Sequence, residues 1–90
     1  MAKVYIVIVM DPGGDSWIGG VYATRELAYK EAAKQGKIEA QHSPKMHLIE
    51  EASDENTLLF GIDDDRPYLN RRWIEFTIYE FEVKEVETDG

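Results

Sequence analysis

Ninety residues are enough for one domain and one modest core, because a chain of this length buries only about 60 to 65% of the surface that its unfolded form exposes. With 43% hydrophobic residues, 31% charged residues and no cysteine, the composition excludes a disordered chain, a disulfide scaffold, thiolate metal sites and thiol catalysis, and it suits a reducing compartment such as the cytosol. The net charge of −8 is carried by the second half, where residues 50–90 hold four Lys/Arg against thirteen Asp/Glu while residues 1–49 hold six against five; such a surface repels phosphate backbones and lipid headgroups and attracts a basic protein partner, although excess acidity also serves solubility alone.

Met1-Ala2-Lys3 leads into the apolar run Val4–Met10, which is too short for a transmembrane helix and lacks a small-residue cleavage site, so neither export nor membrane anchoring is expected. The run is β-branched and aromatic, is bounded by Asp11-Pro12-Gly13-Gly14, and reads as a central strand buried on both faces. Trp17–Tyr22 resumes strand character and forms a hairpin with it, and the paired Gly19 and Gly20 suggest a bulge or a close backbone approach. Thr24 is placed to cap a helix, with Glu26 in its first turn and Ala28, Tyr29, Ala32 and Ala33 as a narrow apolar stripe. Gly36 reads as the stop signal; whether residues 37–41 continue the helix or begin a connector stays open.

Ser43-Pro44 breaks the chain again, Met46–Glu50 reads as a short strand, and Thr57–Ile62 is its hairpin partner across the polar turn Ser53–Asn56. Asp63–Pro67 is a loop, since proline and adjacent like charges oppose a strand. The stretch Trp73–Val86 alternates but changes face midway: Ile74, Phe76 and Ile78 share one side, and Tyr79, Phe81 and Val83 the other. A bulge near Ile78 or a strand covered on both faces reconciles the two sets, and a homodimer would supply the cover. The resulting fold class is α+β: a ββαβββ order, one mostly antiparallel sheet with the first and last strands paired at its centre, and a single helix on one face.

The opening Val4-Tyr5-Ile6-Val7-Ile8-Val9, the segment Gly20-Val21-Tyr22-Ala23-Thr24-Arg25-Glu26-Leu27-Ala28 and the closing Ile78-Tyr79-Glu80-Phe81-Glu82-Val83 together form a pattern that resembles small uncharacterised α+β proteins of bacteriophage genomes. The matched segments are core strands and a helix entry, so the resemblance implies architecture and a viral origin and brings no catalytic residue with it. Residues 44–72 have no counterpart in that pattern.

Few constellations carry chemistry. Asp11-Pro12-Gly13-Gly14-Asp15-Ser16 lacks the Gly-Lys-Ser/Thr ending of a phosphate loop and reads as a turn. His42 and His47 lack the Glu or Cys companions of a zinc site, and adjacent Asp63, Asp64 and Asp65 lack the alternate spacing of a calcium loop, so no metal or other cofactor is expected. No serine stands in a nucleophile motif, and Glu75, Glu80 and Glu82 on a strand suit a solvated face better than an acid/base pair, so an enzyme is not expected.

Two binding readings follow. In the first, the chain is a small acidic protein of the cytosol, host cytosol if viral, that docks on a basic host or viral protein through Asp63, Asp64, Asp65, Glu75, Glu80 and Glu82 gathered on one face, as an inhibitor of a nucleic-acid-handling or defence enzyme would. In the second, Arg66, Tyr68, Arg71, Arg72 and Trp73 hold a nucleotide or other small anion, guanidinium forks taking phosphate and aromatic planes taking a base. The same residues are also suited to pairing with Asp63 to Asp65 and to packing Trp73 into the core.

Overall fold

A computed structural model describes residues 2–84. In chain order the elements are β1 (Ala2–Met10), β2 (Ser16–Tyr22), α1 (Arg25–Gln41), β3 (His47–Leu48), a 3-10 turn at Glu50–Ala52, β4 (Thr57–Gly61) and β5 (Trp73–Val83). The strands form one sheet in the order β2-β1-β5-β4-β3 with every neighbouring pair antiparallel, and α1 crosses from one edge to the other over a single face. This is the expected α+β class, with β1 paired along its whole length to residues 75–83 of β5. Glu85 and Val86, counted in the last strand on sequence grounds, lie outside the described residues, as do Glu87 and Asp89 of the acidic half.

Local chemistry explains the joints. Asp11 organises the first hairpin: its Oδ1 accepts the amides of Gly13 at 3.0 Å and Asp15 at 3.1 Å, and Gly14 takes φ +87°, a conformation that costs glycine nothing. The β1–β2 register slips between Val7 and Ile8, leaving Gly19 as the extra residue of a bulge; a Cβ there would stand 2.8 Å from Val9 Cγ2. Thr24 caps α1 as expected, its Oγ1 accepting the Leu27 amide at 3.1 Å. The helix then continues to Gln41, so residues 37–41 are helical and Gly36 is no stop signal. Gly36 is buried against Phe60, whose ring occupies the space a Cβ would need; the glycine lets helix and sheet approach closely.

The core lies between α1 and the sheet: Val7, Val9, Leu58, Phe60, Phe76 and Ile78 close over Ala28 and Ala32, with Phe60 and Phe76 edge to face at 6.0 Å. The β1–β5 register runs unbroken from Ala2↔Val83 to Met10↔Glu75, so no bulge forms near Ile78. Strand β5 keeps one alternation, and its two apolar sets face opposite sides of the sheet. The expectation that β1 is buried on both faces is also corrected: Val7 and Val9 are buried, whereas Ile6 and Ile8 are half-buried and Met10 is exposed. On the side away from α1, cover among the described residues lies at the β4 end, where buried Ile49 packs near Gly61 and its amide donates to the Leu59 carbonyl at 2.8 Å.

Candidate functional site

The six acidic residues singled out from the sequence are not brought together. On the β4–β5 connection, Asp63 Oδ1 accepts the amides of Asp65 at 3.0 Å and Arg66 at 3.1 Å and so builds its own turn. Asp64 Oδ1 lies 2.6 Å from His47 Nε2, while His47 Nδ1 lies 2.8 Å from the Lys45 carbonyl. Both contacts raise the imidazole above its ordinary value, the Lys45 carbonyl first and Asp64 second. Glu75 points away from α1 and accepts the Tyr68 hydroxyl. Glu80 and Glu82 alternate with it onto the other face, at the far end of β5. Glu80 receives the Tyr5 hydroxyl at 3.0 Å and Lys3 Nζ at 3.4 Å, which together hold its carboxyl below the usual range. The expected single acidic face therefore does not form from these residues, because odd and even positions of one strand cannot share a side.

The aromatic and arginine segment divides as well. Tyr68 and the half-buried Trp73 meet edge to face at 5.0 Å, and Tyr68 is pushed up to about 12 by partial burial and by its bond to Glu75. Arg72 Nη2 donates to Ser43 Oγ at 3.0 Å. Among the described residues, the ion pairs are Lys3–Glu80 and His47–Asp64, so the pairing of these arginines with Asp63 to Asp65 does not occur. Arg71 and Arg72 do line a cleft of about 280 Å³ between Trp17 and Trp73, which Asp11 and Glu39 also border; Arg66 and Tyr68 stand outside it.

A larger groove, about 560 Å³, opens where the start of α1 faces the β3–β4 link. Glu26, Glu50, Asp54 and Glu55 surround it, and Tyr29 and Leu48 supply apolar wall. Its one cation among the described residues, Arg25, is already engaged: it donates to Asn56 Oδ1 and stands 5.3 Å from the centroid of the Tyr5 ring. The groove thus presents carboxylates beside an aromatic and an aliphatic surface, a setting in which a lysine or arginine lays its stem along the wall and its head among the acids. Sequence reasoning missed it, reading Ser53 to Asn56 as a polar turn and Glu26 as a helix-dipole residue; only the topology sets the two segments side by side.

Among the described residues no three His, Asp or Glu side chains converge as metal ligands, and no helix is long and apolar enough to cross a membrane. No protein-family model matches the chain, and no curated protein or solved structure is significantly similar to it.

Proposed function

We propose that the chain is a binding module that captures a basic segment of a host or viral protein in the acidic groove between α1 and the β3–β4 link, as an inhibitor of a nucleic-acid-handling or defence enzyme would. The observation that supports this reading is the groove's composition, four carboxylates against one engaged guanidinium, around Tyr29 and Leu48. Asp63, Asp64, Asp65, Glu80 and Glu82 act at longer range in this reading: exposed charges outside a contact raise the association rate more than they strengthen the complex. The test is titration with an oligoarginine peptide followed by amide chemical shifts. Shifts centred on Glu26, Tyr29, Glu50 and Asp54, abolished in a Glu50→Lys/Asp54→Lys variant and weakened by salt, support the groove. Shifts spread over Asp63 to Asp65 and Glu82, indifferent to that variant, defeat it.

The second reading, a small-anion module, is favoured by the cleft that sets Arg71 and Arg72 between Trp17 and Trp73. Asp11 and Glu39 on the same cleft oppose an anion, which places this reading second. Quenching of tryptophan fluorescence by a nucleoside monophosphate, lost in Arg71→Ala/Arg72→Ala, would promote it; unchanged fluorescence would remove it.

A further inference from the structure

We propose that the face of the sheet turned away from α1 is a self-association surface on which a second copy of this chain packs, sheet against sheet. This inference is independent of the acidic groove. Pairing across the strands sets Val4 beside Phe81, Ile6 between Tyr79 and Val21, and Ile8 beside Ile18 on that side. Ile18 is 62% exposed, Val21 57%, Phe81 50% and Tyr79 48%, and no described element covers them.

Three observations select a second copy as the occupant. The first is charge. Across β2, β1 and β5 this face carries a single charged side chain, Glu75, at one end and already bonded to Tyr68. In a chain that is 31% charged with a net −8, it is a surface on which two copies can meet without opposing carboxylates, whereas a basic partner would find little here to pair with. The second is polarity. At the far end of β5 the carboxylates Glu80 and Glu82 lie on the helix side and Tyr79 and Phe81 on the uncovered side; a monomer with a wet far face would place them the other way round. The third is area. The exposed fractions of Met10, Ile18, Val21, Tyr79, Phe81 and Val83 amount to roughly 600 Å² when scaled by their side-chain sizes, at the upper end of what a monomer ordinarily leaves bare, and the half-buried neighbours bring it toward the ~800 Å² per partner of a stable interface. A two-fold packing of twisted sheets, as in a β-sandwich, buries the same patch on both copies.

The experiment is sedimentation of the full chain across a wide concentration range, at low and moderate salt, with Tyr79→Glu and Ile18→Glu as variants on two different strands. Both positions are exposed, Tyr79 by 48% and Ile18 by 62%, so the fold should survive, which far-UV circular dichroism and amide spectra check. The expected result is a dimer whose dissociation constant falls as salt screens the net charge, and which each variant weakens by roughly tenfold or more. Salt acts in the opposite direction on capture of oligoarginine, so failure of one proposal is distinguishable from failure of the other. A wild-type chain that stays monomeric throughout overturns the proposal. So does a dimer indifferent to both variants, or a different protein bound to this face by a monomer.

Discussion

The two faces of the sheet are built from alternate residues of the same strands, and their fates differ. Toward α1, Val7, Val9, Phe76 and Ile78 are buried; away from it, Ile6 and Ile8 are half-buried and Tyr79 and Phe81 half-exposed. Residues of comparable hydrophobicity thus stabilise the fold on one side and, on the other, form a surface with no cover in the described chain. What separates them is the position of one alanine-rich helix, not their own chemistry.

The largest test of that difference is a pair of truncations. Phe76→Ala empties a site in the closed core and should cost about 3 to 5 kcal/mol in urea unfolding, enough to threaten a domain of this size. Phe81→Ala removes a ring that already meets water and should cost under about 1 kcal/mol at concentrations where the chain is monomeric. Equal losses at the two positions would break the comparison by showing that the far face is closed within the chain.

Next in size is the helix cover itself. Glycine to alanine inside a helix ordinarily gains about 1 kcal/mol, but at Gly36 the new methyl enters the Phe60 ring. Gly36→Ala should therefore lose about 1 to 3 kcal/mol, and Phe60→Leu in the same chain should recover part of it. A stabilised Gly36→Ala protein would mean that α1 sits further from β4. Smaller again, Thr24→Ala removes the acceptor of the Leu27 amide and should cost about 1 kcal/mol, fraying the helix end beside the acidic groove.

Much of this architecture was legible in the residues. Period-two alternation and β-branching marked β1 and β5, Asp11 and its glycines marked the hairpin, Gly19-Gly20 marked the bulge, and Thr24 marked the start of α1, because each of these signals acts over a few neighbours. Gly36 misled because a stop signal and a close approach look alike locally, and the residue that decides between them, Phe60, lies on a later strand. The acidic groove was illegible for the same reason: Glu26 and Asp54 are brought together by the path of β3 and β4 past α1. By contrast, the separation of Glu75 from Glu80 and Glu82 follows from parity alone, and an unbroken β5 is enough to deduce it.

The smallest effect sharpens the comparison within the far face, between its capped end and its open one. Beside Trp73, the Tyr68 ring packs edge to face on the indole while staying half-exposed, and its hydroxyl donates to Glu75, the single carboxylate that β2, β1 and β5 place on that face. Partial burial and this bond push Tyr68 from an ordinary 10.0 up to about 12. A raised value means that the folded chain favours the neutral phenol, so the contribution is fully present below pH 10.0 and is lost as pH climbs through about 12. Stability should accordingly decline over that window in the wild-type chain, and decline less in Tyr68→Phe. Because the Tyr5 hydroxyl, bonded to Glu80, is raised as well, the phenolate absorbance of the wild type must be compared with that of Tyr68→Phe to isolate the Tyr68 step. A difference titration centred near 10.0 rather than about 12 would show that Tyr68 stands free in solution and that the far face is open at its Trp73 end as well.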